Sequence, residues 1–526
     1  MSVRSFFLPL YSPEQVREID RIAIESLHIP SSVLMENAGS NAALQIRDLY
    51  QDWNCTGSVL VLCGSGNNGG DGLVIARYLA SSGIQTLVWC IVPEERLSSD
   101  AADKLDLLRK AGIVPLFVLS PEAIPARTDL IVDALLGTGA KGPLRSPYAK
   151  WAEICNYADA PVVAIDGPTG VNLDDGSVDG AAFFARATIA LGDLKQGYFK
   201  YPGRQYTGKI FAADIGIPES ARAGVHSDHY LITAEGVREL LPSRKPTDHK
   251  GSFGRVAVIG GVAGMTGAVV LSSMAALKSG CGLVSLGVPR SLEDVCDSSA
   301  TEVIIKALPE LKAHRALAVR ALGDALEMAR NATACVLGCG AGRNHETQEL
   351  IGRLVERMDT PLVLDADGMY PFAADPDRLV RHASPLCITP HPGELAHLLG
   401  ITTAEIQSDR NHFALRAARH FDCVCVLKGA STVVATVTGQ TYTNPTGNDG
   451  MGTAGSGDVL AGVIGSLLAQ GLSILGAATT GVYLHGLAGD FAAAAVGERG
   501  MIASDILAEL PEALMCVEEG TEPNGW

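Results

Sequence analysis

The chain has 526 residues, 47% of them hydrophobic, with 41 Lys and Arg against 58 Asp and Glu and a formal net charge of −17. That length predicts two or three domains rather than one. The acidic balance excludes a broad nucleic-acid footprint, which needs clustered Lys and Arg.

The N-terminal stretch MSVRSFFLPLYSPEQ lacks the apolar core and cleavage pattern of a signal peptide. No apolar run reaches membrane-spanning length, and the Ala/Gly/Leu-rich region Val459 to Val496 is interrupted by Gln470, His485 and Asp490. Buried helices are expected there, with no membrane partner. The 12 Cys include no C-x-x-C pair and no zinc-like spacing. They read as small buried hydrophobes in a reducing compartment, and the expected location is the cytoplasm.

In chain order, SVLVLC, TLVWCIV, LIVDALL and PVVAID read as strands, with helical stretches such as DAADKLDLLRKAG between them. A second series, RVAVIG, ACVLGC, LVLDA, LCITP and CVCVLKG, begins after a small, polar, aperiodic segment near residues 218 to 230. Apolar strands alternating with helices predict parallel sheets covered on both faces. The fold class expected is α/β, with one domain over residues 1–222 and a second over 228–526.

Ligands of such sheets bind beyond the carboxyl ends of the strands. In the first series, SVLVLC runs into GSGNNGGDG, LIVDALL into the loop Gly137 to Pro143, and PVVAID ends at Asp166 with Thr169 close behind. Gly64, Gly66 and Gly69 fit G-x-G-x-x-G, a match that turn geometry alone also produces. Glu94 could serve as a ribose-binding acid, but Asp71 would repel a phosphate near it. Oxygen donors from Asn68, Asp133 and Thr169 suit one hard cation, while loop N–H groups face an anion. Asp166 is then free for proton transfer. Taken singly, Asp133 fits a cap or a loop hydrogen bond equally well.

YSPEQVREIDRIAIESLHIPSSVLMENAG, GSGNNGGDG, DLIVDALLGTG, AIDGPTGVN and LGDLKQGYFKYPG, in that order, resemble the YjeF-type NAD(P)HX epimerase family. The resemblance implies a Rossmann-like α/β/α sandwich that interconverts R and S forms of NADH or NADPH hydrated at nicotinamide C6. It implies substrate contacts from Asn67, Asn68, Gly69, Gly70 and Asp71, from Gly137, Thr138, Gly139, Ala140, Lys141, Gly142 and Pro143, and from Asp166 as the acid/base. It implies K+ held by Asn68, Asp133 and Thr169.

The second series has no G-x-x-x-x-G-K-[ST], which excludes a P-loop NTPase. Instead, TAGSGD opens a strongly helical run, so backbone N–H groups can face an anion, with Asp458 placed to take a hydroxyl proton. Glycine for packing and Asp in the first turn is the plain alternative. Lys428, His391 and Glu394 follow other strand ends, and Asp365 and Asp367 could aid magnesium.

HKGSFGRVAVIGG, GMTGA, GCGAGR, LDADGM, TPHPGE, LKGAST and GMGTAGSGDVLAG resemble, in order, the ribokinase-like ADP-dependent NAD(P)HX dehydratases. Cys339 stands where Pro is common in that family. The resemblance implies substrate contacts at Ala268, Gly342, His391 and Asp458, with Asp458 the base. It implies ADP, with Mg2+, at Lys428, Gly429, Ala430, Ser431, Thr432 and Gly457. The partners expected are NADHX, NADPHX and ADP, no nucleic acid, and a second copy of the chain in a homo-oligomer. The rival reading is a vitamin-precursor kinase fused to a non-catalytic nucleotide-binding module.

Overall fold

SVLVLC becomes the strand Ser58–Cys63 (β1), buried at every position, as a strand covered on both faces must be. It is one of seven in the first sheet of the computed structural model, which describes residues 3–521 and 525–526. The others are Thr86–Cys90 (β2), Leu116–Phe117 (β3), Thr128–Ala134 (β4), Val162–Ile165 (β5), Ala187–Leu191 (β6) and Lys209–Ala213 (β7). Their order is β3-β2-β1-β4-β5-β6-β7, with every pair parallel. The order reverses between β1 and β4, so their carboxyl ends diverge into loops on either side of a crevice. Helices Pro13–Arg21 (α1), Ser31–Asp52 (α2), Asn67–Ser81 (α3), Ser99–Lys110 (α4) and Tyr148–Asn156 (α5) accompany this sheet. The helix start at α1 is a full capping box, Ser12 with Gln15.

The second sheet has eleven strands. His229–Leu231 (β8), Arg255–Ile259 (β9), Leu283–Pro289 (β10), Ile304–Leu308 (β11), Ala334–Leu337 (β12), Leu362–Leu364 (β13), Leu386–Ile388 (β14), Val424–Leu427 (β15), Val433–Ala435 (β16) and Thr441–Thr443 (β17) are joined at the β8 edge by Leu8–Pro9. From β11 to β15 the order is β11-β10-β9-β12-β13-β14-β15, all parallel, with a reversal between β9 and β12. Here the parallel expectation fails at one edge: β16 runs antiparallel to β15, and β17 to β16. Only Lys428 to Thr432 join Leu427 to Val433, too few residues for a parallel crossover.

The region Val459 to Val496 forms helices Ser456–Ala469 and Ile474–Val496, buried over most of their length. Among the described residues no helix is long and apolar enough to cross a membrane. All 12 Cys are free thiols, and all but Cys55 are buried.

The chain divides into two compact units. One comprises the described residues of Pro9–Ser227 and Pro523–Trp526, the other those of Met1–Leu8 and Asp228–Glu522. Both chain ends thus depart from a division in simple sequence order. Trp526 exchanges two backbone hydrogen bonds with Ile210 of β7, at 2.7 and 2.9 Å. In the other unit Phe7 meets the Tyr442 ring edge-on at 5.8 Å, and Tyr442 stacks on Tyr230.

The central strands carry stability. Leu62→Ala, fully buried in β1, is expected to cost about 2–5 kcal/mol in urea denaturation followed by circular dichroism. Leu107→Ala, exposed on α4, should stay within about 0.5 kcal/mol.

Two candidate active sites

In the first unit the loop after β1 enters α3 at Asn67, with Gly66 as cap. A side chain at Gly64 would run into the Leu135 carbonyl, and one at Gly69 into the Gly64 carbonyl. Glycine there lets the loops after β1 and β4 close on each other. A cavity of about 620 Å³ opens beyond them, lined by Asn67, Asn68, Asp71, Gly137, Thr138, Gly139, Ala140 and Asp166, joined by Asp20 and Lys195. Gly69 and Gly70 lie inside α3, Gly70 against Met35. Lys141, Gly142 and Pro143 are exposed and outside this cavity, and Lys141 reaches Asp174 at 3.3 Å. Glu94 pairs with Arg109.

Asp133 is fully buried in β4. Its oxygens accept from the Thr169 hydroxyl and N–H, both at 2.8 Å, and from the Leu135 N–H at 3.3 Å. Burial pushes its carboxyl up to about 6 against those hydrogen bonds. This pins the β5 loop to β4. Asn68 donates through Nδ2 to the Ile165 carbonyl, while its Oδ1 is buried with no partner among the described residues. An unpartnered buried amide oxygen with a carboxylate and a hydroxyl on neighbouring strand ends is a donor set that fits a hard monovalent cation.

Asp166 ends β5 with φ +62°, outside the region ordinary residues favour. Four hydrogen bonds hold that geometry. Its N–H donates to the Ile189 carbonyl at 2.8 Å and its carbonyl accepts from the Tyr198 hydroxyl at 2.5 Å. Its carboxylate accepts from Lys195 Nζ at 2.6 Å and the Thr138 N–H at 3.1 Å. The Lys195 side chain is 1% exposed, and its Nζ also donates to the Leu191 carbonyl. Nearby, burial pushes Asp71 well above the carboxylate range, and pushes Asp20 up to about 6 despite Lys195. The sequence reading missed Lys195, Asp20 and Tyr198; Lys195 and Tyr198 sit inside LGDLKQGYFKYPG, whose letters gave no sign of what they face.

In the second unit, strand ends again supply the site. Asp365, after β13, is 1% exposed and accepts from Lys428 Nζ at 2.8 Å and the Thr389 hydroxyl at 2.6 Å. Burial opposes the Lys428 charge, yet Asp365 and Glu394 raise its ammonium above the ordinary value. Gly457, at the start of Ser456–Ala469, lies where a Cβ would approach Lys428 Nζ to 3.1 Å. Asp458 follows, with ligand atoms of Cys339, Asp365 and Asp458 all within 4.8 Å of one another. Burial, then Asp365, push Asp458 up to about 6. The carboxylates suit Mg2+, a hard ion; the buried thiol does not.

Gly342 donates to Asp367 at 3.0 Å, and Ala268 packs on Gly340. Gly429 and Ala430 are exposed, Ser431 has φ +49°, and the Thr432 hydroxyl donates to the Gly429 carbonyl. His391 caps the helix Pro392–Leu399: its Nδ1 accepts from Gly393 and Glu394, which puts its proton on Nε2. Glu394 joins it to the site, 3.5 Å from His391 Nε2 and 3.7 Å from Lys428 Nζ. The sequence reading also missed Thr389, and His485 beneath Ser456, whose imidazole burial lowers to about 4.

Known proteins match both units. Residues 31–197 match the family described as YjeF-related protein N-terminus, and 256–512 the family described as NAD(P)H-hydrate dehydratase. The chain is 41% identical over 519 residues to a bifunctional NAD(P)H-hydrate repair enzyme of Moorella thermoacetica, covering 98% of each. It is 37% identical to the Escherichia coli protein of that name, over 94% of this chain and 92% of the other. An ADP/ATP-dependent NAD(P)H-hydrate dehydratase of Bacillus subtilis, crystallized with ATP and Mg2+, is 26% identical over 55% of this chain and 98% of its own, with a TM-score of 0.47.

Removing the ammonium from Asp166 strands a buried charge. Lys195→Met is expected to cost about 3–5 kcal/mol, and Lys195→Met with Asp166→Asn to recover much of it, in calorimetric unfolding.

Proposed function

The chain belongs to the family of bifunctional NAD(P)H-hydrate repair enzymes, and we propose from that premise how its residues divide the work. The first unit epimerises R- and S-NAD(P)HX, and the second dehydrates the S form to NAD(P)H using a nucleoside phosphate. One observation carries this reading: the likeness to a bifunctional NAD(P)H-hydrate repair enzyme spans 98% of the chain and so covers both units.

In the epimerase Asn67–Asp71, at the start of α3, offer N–H groups to the coenzyme phosphates. Asp166, which accepts from Lys195 Nζ and the Thr138 N–H, faces the nicotinamide end and takes a proton there. Asn68, Asp133 and Thr169 would hold K+, which would supply positive charge beside the substrate. In the dehydratase, Asp458 accepts the C6 hydroxyl proton as that oxygen attacks the terminal phosphorus. Lys428, Gly457 and the loop Gly429 to Thr432 bind the nucleotide, ADP by preference, and helix N–H groups offset the phosphate charge. Asp365 and Asp367 would sit by Mg2+, which would neutralise the phosphates. Phosphate is a far better leaving group than hydroxide. It departs from C6 while the adjacent ring carbon loses a proton, which leaves NAD(P)H, phosphate and, from ADP, AMP. His391, Gly342 and Ala268 border the nicotinamide nucleotide. The setting is the cytoplasm, consistent with 12 unpaired thiols.

The test is one assay: purified chain, mixed NADHX epimers, and ADP or ATP, read at the reduced-nicotinamide absorbance. Asp458→Asn should lower absorbance recovery about 100- to 10,000-fold while leaving R–S exchange intact, and Asp166→Asn should do the converse. If both variants keep both activities, the assignment fails. A base acts deprotonated, so dehydration should fall as pH drops through about 6, the value to which burial raises Asp458. Exchanging K+ for Li+ should slow epimerisation and spare dehydration.

A further inference from the structure

Of the carboxyl side chains that line the cavity of the first unit, three interact with its one buried ammonium, Lys195: Asp20 from α1, Asp71 from α3 and Asp166 just past the end of β5. Arg17 and Asp100 also line it, and Arg17 is exposed. One ammonium cannot keep the buried Asp71 and Asp166 and the half-buried Asp20 all ionised, because like charges in a shared low-dielectric space favour protonation. Hydrogen bonding decides which carboxyl stays charged. Asp166 accepts from Lys195 and the Thr138 N–H, and both favour its carboxylate. Asp71 has no side-chain hydrogen bond or ion pair with a described residue, and is 7% exposed. Lys104, the other cation acting on it, is tied to Glu36 and the Ser32 carbonyl, each at 3.1 Å. Burial without such partners therefore favours the protonated form of Asp71, beside the Lys195-paired Asp166. Two carboxyls in opposite protonation states are the usual mark of an acid–base pair.

We infer that Asp71 is a second catalytic residue of the epimerase, the acid that works with the base Asp166. This rests on the epimerase reading above. The substrate carbon C6 carries a hydroxyl and is bonded to the ring nitrogen. As the nitrogen lone pair forms a C=N bond, the C6–O bond breaks, and the hydroxyl takes the Asp71 proton and leaves as water. Water then adds to the other face of C6, the C=N electron pair returns to nitrogen, and the surplus proton passes to Asp166. Atoms and electrons balance without an oxidant. Afterwards Asp71 is a carboxylate and Asp166 is protonated, which is the state that runs the reverse reaction. A reversible interconversion needs both states.

The experiment uses the full chain, R-NADHX and oxygen-18 water without nucleotide, so that dehydration is silent; chiral chromatography with mass analysis follows the product. If wild-type chain converts nothing, the epimerase reading itself fails. Given conversion, S product should carry solvent oxygen above the spontaneous background. Asp71→Asn should lower kcat about 100-fold or more, with calorimetric Kd for R-NADHX and ADP-driven dehydration of the S form unchanged. Asp71→Glu, which keeps an acid, should retain a measurable part of the turnover. The inference is overturned by a wild-type kcat in Asp71→Asn, by loss of binding in both variants, or by product that keeps the substrate oxygen, which would mean ring opening at nitrogen instead.

Discussion

A lysine holds a buried aspartate in each unit: Lys195 to Asp166 at 2.6 Å, and Lys428 to Asp365 at 2.8 Å. Taking a carboxylate out of water costs several kcal/mol unless a counter-ion and further hydrogen bonds are in place. Both pairs have them, from Thr138 and Leu191 in one and Thr389 in the other. Once that ammonium is committed, a neighbouring carboxyl has no equal partner, and burial drives it toward its neutral form. Asp71 and Asp458 are those neighbours. Each site thus sets an aspartate paired to an ammonium beside a carboxyl that burial drives toward its neutral form.

The sheet topology explains why a site opens at the same edge of both sheets. Parallel strands deliver all their loops to one edge, and a reversal of strand order keeps two adjacent loops from covering each other. In the first unit that gap lies between β1 and β4, where the glycine loop and Asp133 sit. In the second it lies between β9 and β12, where the glycine turns GGVAGMTG and GCGAGR end neighbouring strands. Polar groups buried along these edges must find partners from the next strand over, as Asp133 does with Thr169.

Much of this was legible in the sequence. Short continuous apolar runs rich in Val, such as SVLVLC, read as strands buried on both faces, and the glycine and acid at their ends mark the edge that binds. The motifs Asn67–Asp71, Asp166 and Lys428 lie within a few residues of such ends, while Asp458 sits in the first turn of the helix Ser456–Ala469. What was not legible depends on distance along the chain. Lys195 is 29 positions from Asp166, and Lys428 is 63 from Asp365; only folding reveals that they meet. Asp20 looks like a surface acid on α1 until its helix closes the cavity. The capping role of His391 was also hidden, because H-P-G-E reads equally as a binding turn and as a helix start. The antiparallel edge at β16 and β17 followed from loop length, which a strand count by apolar runs does not weigh.

The way the two chain ends are distributed bears on how the activities could be separated. Cleavage between residues 227 and 228 yields no intact half. The piece beginning at Asp228 lacks Phe7 and leaves the Tyr230–Tyr442 stack bare on that side, while the piece ending at Ser227 loses the Trp526 backbone that shields strand Lys209–Ala213. An uncovered strand edge recruits other chains. Excised halves would therefore aggregate for reasons unrelated to catalysis, and a stand-alone dehydratase needs residues 3–8 grafted back.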